Sequence, residues 1–178
     1  VGFREQPGPG IAPSANVHPW ASVDETASVG AYCTIDARAV IGPGTVIHPG
    51  CYVGADATIG SDCILYANVV IYDKCVLGDR VTLHGGCVIG QDGFGYATHN
   101  GAHHKIPQSG NAVVESDVEM GACCSVDRAT VGSTVIGEGT KFSNSVTIGH
   151  GSKVGKHNLY VAQVGLAGSV TTGDYVVM

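Results

Sequence analysis

His150 is the side chain of this sequence best suited to moving a proton, because of what lies eighteen residues further on. It follows Gly149 directly, and the later position is Gly168, within Ala167-Gly168-Ser169. An imidazole titrates near neutral pH and can take a proton from an attacking amine or hydroxyl. A glycine N–H with no side chain beside it can donate to the oxyanion of a tetrahedral intermediate. The two make a minimal kit for acyl transfer if the fold stacks residue 168 over residue 150. The other histidines are weaker candidates. His18, His48 and His84 each follow an aliphatic residue at a regular spacing, which reads as an exposed corner. His99, His103 and His104 are compatible in type with a metal, but they crowd one short string, and no metal is expected.

The elements that must position these groups are set by a period of six. From Ile11 to Ile89 every sixth residue is aliphatic, fourteen in succession. Helices repeat at 3.6 and strands at 2. A strict six suits a chain wound as a triangular prism, in which each side offers one side chain to a narrow axis. Two residues before each aliphatic is a second inward slot, filled by small or medium residues such as Ala27, Cys33, Thr45, Cys51, Cys63 and Val69. Glycine follows the aliphatic at Gly30, Gly42, Gly54, Gly60, Gly78 and Gly90, where a corner is expected to use its permissive backbone angles. Three hexads make a coil of about 18 residues, and coils stack at roughly 4.8 Å. Gly168 then falls one coil above His150. The expectation is an all-β chain, a hexapeptide-repeat parallel β-helix whose coils stabilise their neighbours.

The frame breaks after Ile89, resumes at Val114, Met120 and Val126, slips by four residues, and continues from Ile136. Extra residues must leave the prism. Residues 91–111 therefore read as a long loop excursion and residues 127–133 as a small bulge. Long loops on regular scaffolds often carry function.

Composition narrows the field. A 178-residue chain with 44% apolar content suits one repeat domain. Its net charge of −6 argues against a nucleic-acid partner. Between Arg128 and Gly173, however, Arg128, Lys141, Lys153 and Lys156 face only Glu138, a balance able to attract an anionic sugar nucleotide. No 18-residue apolar run provides a membrane span, and no signal-peptide pattern opens the chain. Six of the seven cysteines (Cys33, Cys51, Cys63, Cys75, Cys87 and Cys124) occupy the second slot as small packing residues. Cys123 is out of slot, and the adjacent Cys123-Cys124 pair is a poor zinc pattern. Unpaired thiols imply a reducing compartment, the cytoplasm. The chain begins without Met and stops with the rhythm still running, whereas a solenoid end needs a polar cap. The reading is a linker or tail over residues 1–10 and a core over 11–178, cut short at both ends.

Several strings resemble the UDP-3-O-acylglucosamine N-acyltransferases of lipid A biosynthesis. They are Gly90-Gln91-Asp92-Gly93-Phe94-Gly95-Tyr96, Lys105-Ile106-Pro107-Gln108, Val118-Glu119-Met120-Gly121-Ala122, Asp127-Arg128, Ile148-Gly149-His150 and Gln163-Val164-Gly165-Leu166-Ala167-Gly168-Ser169. The resemblance runs from about Gly10 onward. It implies a left-handed prism and a homotrimer with active sites in grooves between subunits. It also implies transfer of a (3-hydroxy)acyl chain to the 2-amine of UDP-3-O-acylglucosamine. The acyl donor is carried on the phosphopantetheine of acyl carrier protein, with no bound cofactor. His150 falls on the family's base and Gly168 on its oxyanion-hole glycine.

Departures accompany the match. Where the family places an Asp seven residues before the base, this chain has Ser143, which removes a charge or substitutes a neutral hydrogen bond. Gly151-Ser152 replace the usual Asn-Val. The family's uridine-binding domain and carrier-binding helices are absent from this sequence, so activity is expected to be impaired. Phe94 and Tyr96 are candidates for packing on substrate, on a neighbouring subunit, or on the loop itself. Lys105, Asp127 and Arg128 can anchor polar substrate groups, with an Asp127–Arg128 ion pair as the structural alternative. Gln163, one coil above Ser145, can line the groove. The competing functions are a related sugar-nucleotide O-acyltransferase, a coenzyme A-dependent acetyltransferase, and a trimeric scaffold that has lost catalysis.

Overall fold

Each aliphatic from Ile11 to Leu83 ends a two-residue strand, and successive strands turn through three faces. The computed structural model describes residues 4–178, so residues 1–3 of the expected tail lie outside the described residues. The first face carries strands from Gly10–Ile11 to Leu159–Tyr160, the second from Asn16–Val17 to Gly165–Leu166, and the third from Ser22–Val23 to Lys153–Val154. All pairing within these faces is parallel, Val29 with Ile47 and Ile35 with Val53, for example. The protein is a left-handed parallel β-helix. The prism closes over both breaks: Leu77 pairs with Val114, and Val126 with Ile148.

The aliphatic column is the core. Ile35, Ile47, Val53, Leu65, Ile71, Leu83 and Ile89 are fully buried, as are Val114, Met120, Val126, Ile136 and Ile148 beyond the break. Each such side chain contributes about 1.5–3 kcal/mol on leaving water.

The second slot does more than fill space. Cys33 Sγ donates to the His48 carbonyl at 3.1 Å, Cys51 to Tyr66 at 3.1 Å, Cys63 to Gly78 at 3.1 Å and Cys124 to Ser143 at 3.0 Å. Thr45 and Ser152 make the same bond with hydroxyls, to Gly60 at 2.7 Å and Ala167 at 3.0 Å. Each acceptor is a corner carbonyl of the next coil with no backbone partner among the described residues. These slots therefore hold donors as well as volume.

Of the corner glycines only Gly90 (φ 90) takes the permissive angle that was expected; the other five act differently. Gly30, Gly42, Gly54, Gly60 and Gly78 do not take positive φ. A side chain there would strike the next coil: a Cβ on Gly42 would lie 2.6 Å from the Gly60 carbonyl oxygen, and on Gly54 2.6 Å from the Asp73 nitrogen. Close coil approach selects glycine. The left-handed angles fall two residues later, at Tyr32 (φ 58), Asp56 (φ 59), Asp62 (φ 55) and Arg80 (φ 55).

The excursion is a β-hairpin, not a plain loop. Tyr96–His99 pairs antiparallel with Ala102–Lys105 across Asn100 (φ 50) and Gly101 (φ 74), the Asn-Gly signature of a tight hairpin turn. Arg128 staples its root. The guanidinium is buried, with Nε donating to the Gly90 carbonyl at 2.6 Å and Nη2 to Asp73 Oδ1 at 2.8 Å. The Asp127–Arg128 pair anticipated from sequence is not made; Asp73 takes the guanidinium because Arg128 turns back under the bulge.

Candidate active site

His150 sits in the turn that follows the second-face strand Thr147–Ile148. Ile148 is fully buried and anchors that strand. Two backbone bonds lock the turn to the next coil: Gly149 N–H to the Leu166 carbonyl at 2.8 Å and Ser169 N–H to the His150 carbonyl at 2.7 Å. Gly168 lies against the ring, for a Cβ built on it would stand 2.4 Å from His150 Nε2. No residue larger than glycine fits there without turning the imidazole away. The Gly168 N–H has no hydrogen-bond partner among the described residues. Coil stacking thus brings together an imidazole nitrogen and a bare backbone donor.

The root of the hairpin forms the wall behind the base. A Cβ on the buried Gly93 would lie 2.4 Å from His150 Cβ and 2.8 Å from Gln108 Oε1. Gln108 is itself buried; its Nε2 donates to the Ile106 carbonyl at 3.0 Å, and its Oε1 accepts from Thr130 Oγ1 at 3.0 Å. The hairpin is therefore tied to the bulge, and Gly93 lets its backbone touch the histidine.

A carboxylate completes this corner. Asp127 ends the strand Ser125–Asp127, whose Val126 pairs with Ile148. Gln91 Nε2 donates to Asp127 Oδ1 at 2.7 Å, and Oδ2 has no partner among the described residues. Burial pushes the Asp127 carboxyl up, while the nearby His150 charge and the Gln91 N–H favour its ionised form. Gln91 Oε1 is the one buried side-chain polar atom without a partner among the described residues, a cost of about 1–3 kcal/mol. Sequence reading grouped Asp127 with Arg128 and gave it no place beside the base. The signal was available: one coil plus the four-residue slip puts Asp127 opposite Gly149.

The other candidates separate into two places. Phe94 is 83% exposed and meets Tyr96 edge-on at 5.2 Å, and with Thr98 and His103 they line a shallow cavity on the hairpin. Lys105 Nζ pairs with the Asp92 carboxylate across the hairpin root. Ser143 and Gln163 stand on a different edge, between the first and second faces. Ser143 lies beside Lys141, Phe142 and Tyr160 and makes no bond to His150; the Gln163 N–H donates to the Asn144 carbonyl at 3.1 Å. The same edge carries a stacked ladder, His48 on Tyr66 at 5.0 Å and Tyr66 on His84 at 4.8 Å. One chain thus gathers His150, Gly168, Asp127, Gln91 and Gly93 and leaves Ser143 and Gln163 apart. Among the described residues, no three or more His, Cys, Asp or Glu gather as a metal site would require.

The family described as bacterial transferase hexapeptide (six repeats) matches residues 26–60, 38–72 and 56–91. A UDP-3-O-acylglucosamine N-acyltransferase of Methylobacterium nodulans is 51% identical over 98 residues, covering 55% of this chain and 28% of the relative. Its namesake in Helicobacter hepaticus is 55% identical over 96 residues, covering 53% of this chain and 29% of the relative. These matches span less than a third of those relatives. Among solved structures, the Arabidopsis UDP-N-acetylglucosamine acyltransferase superposes with a TM-score of 0.80 at 26% identity, over 92% of this chain and 57% of that one. The Francisella novicida UDP-N-acetylglucosamine acyltransferase gives 0.61 at 25% identity, over 94% and 53%. The chain matches the hexapeptide family model within residues 26–91 and is similar in sequence to UDP-3-O-acylglucosamine N-acyltransferases and in structure to UDP-N-acetylglucosamine acyltransferases.

Proposed function

We propose that this protein is an acyltransferase of lipid A synthesis, moving a (3-hydroxy)acyl chain from acyl carrier protein to the 2-amine of UDP-3-O-acylglucosamine. The observation that carries this reading is His150 Nε2 lying against the Gly168 Cα beside a bare N–H. The amine nitrogen attacks the thioester carbonyl carbon as His150 takes one of its protons. The carbonyl oxygen becomes an oxyanion held by the Gly168 N–H. Collapse expels the phosphopantetheine thiolate, which recovers the proton from the imidazolium, leaving an amide and a thiol. The reading needs no resident cofactor or metal. Phe94 and Tyr96 offer apolar surface to the acyl chain or sugar, and Lys105 offers charge to the diphosphate.

A homotrimer accounts for the separation of Ser143 and Gln163 from His150. Each reaches the ring or the groove only if a second copy sets its first-to-second-face edge against the hairpin corner. Such an enzyme works in the cytoplasm, where acyl carrier protein resides. The superposition on UDP-N-acetylglucosamine acyltransferases favours one second reading, transfer to a sugar hydroxyl. Incubating the purified chain with acyl-carrier-protein thioester and each UDP-sugar, followed by mass spectrometry of the products, separates the two. Amide product from UDP-3-O-acylglucosamine is the expected result, and ester product from UDP-N-acetylglucosamine alone contradicts it.

A further inference from the structure

Asp127 has no part in the transfer as described, yet it is held beside the base. Gln91 fixes one of its oxygens at 2.7 Å and leaves the other without a partner among the described residues. Asp127 forms no ion pair with His150, although the strand register sets it opposite Gly149, the residue just before the base. Acid and base are thus neighbours in adjacent coils, close enough for the His150 charge to act on the carboxylate, and no hydrogen bond joins them.

The chemistry of the nucleophile says what the carboxylate can do there. A neutral amine brings two hydrogens to the carbonyl carbon; one passes to His150, and the second needs an acceptor in a closed site. Positive charge also develops on the nitrogen as its bond to carbon forms, and a carboxylate favours that charge. A hydroxyl brings a single hydrogen, which goes to the base and leaves the carboxylate idle. We infer that Asp127, oriented by Gln91, accepts the second N–H of the attacking amine and so selects amine over hydroxyl acceptors. The inference rests on the acyl-transfer reading above.

Asp127→Asn is the direct test. The Gln91 N–H retains the Asn carbonyl, which turns the new NH2 toward the amine, donor against donor. Turnover is measured with the acyl thioester and two acceptors, UDP-3-O-acylglucosamine and the same sugar nucleotide with a 2-hydroxyl. The ratio of amine to hydroxyl turnover falls at least about tenfold in the variant, since an unpaired polar group in a closed site costs that much. Gln91→Met lowers the ratio in the same direction, and melting curves control for folding in both. Equal losses with both acceptors, or an unchanged ratio, overturn the inference while the acyl-transfer reading stands. Absence of transfer by the unsubstituted chain overturns both.

Discussion

At the scale of single residues, function here depends on where a side chain is missing. A methyl group on Gly168 would stand 2.4 Å from His150 Nε2, well inside contact, and the ring must turn away from the reacting atoms. Gly168→Ala therefore lowers turnover about 10²-fold, the scale set by losing an oxyanion donor or its alignment, and its melting temperature stays near that of the parent. Steady-state rates beside melting curves check this. Gly168 and His150 were legible in the sequence because both lie in unbroken coil frame. Asp127 was not, because the four-residue slip between it and His150 hides its place from a count of eighteens. Thiol reactivity divides the cysteines at the same scale. Cys123 is exposed, while the others are buried and Cys63 is pushed by burial to about 11. A disulfide reagent at neutral pH modifies Cys123 alone in the native protein and all seven after unfolding, which mass spectrometry reads directly.

At the scale of elements, the six-residue period told where each strand lies but not what every slot does. Strand pairs end at the anticipated aliphatics because burial on a narrow axis leaves no other register. Volume alone identified the second slot, so its donor role was invisible: a thiol looks apolar until a corner carbonyl is placed above it. The hairpin was likewise legible in part, since Asn100-Gly101 is a turn signal that a reading focused on the broken hexad passes over. The donor role gives a mutational contrast. Cys63→Ala removes both the bond to Gly78 and part of the packing, costing about 1–2 kcal/mol. Cys63→Ser keeps a donor and costs less, as Ser152 already does in an equivalent slot. Urea unfolding of the two variants compares them. The same thiol makes stability depend on pH. Folding favours the neutral thiol and raises its pKa from 9.0 to about 11. Its contribution is intact below the unfolded value and is lost as pH rises through that window, by at most about 1.4 kcal/mol per unit. Cys63→Ser flattens the urea midpoint between those pH values.

At the scale of the whole molecule, a rigid prism carries a removable appendage. The strands Tyr96–His99 and Ala102–Lys105 pair only with each other, so coil pairing passes them by. Replacing residues 94–106 with a short turn leaves the parallel β-structure and most thermal stability intact, but turnover falls because apolar substrate contacts are removed. Circular dichroism and rate measurements separate those outcomes. The regular architecture was readable because repetition multiplies a weak local signal over many coils. The corner that gathers His150, Gly168 and Asp127 was only half readable, because Asp127 lies on the far side of the four-residue slip from the other two. The central claim is that this corner performs acyl transfer with His150 as the base, and His150→Ala tests it most directly. In single-turnover transfer from acyl-carrier-protein thioester to UDP-3-O-acylglucosamine, the account predicts a loss of at least about 10²-fold with the prism intact. Transfer by the alanine variant at the parent rate would contradict it.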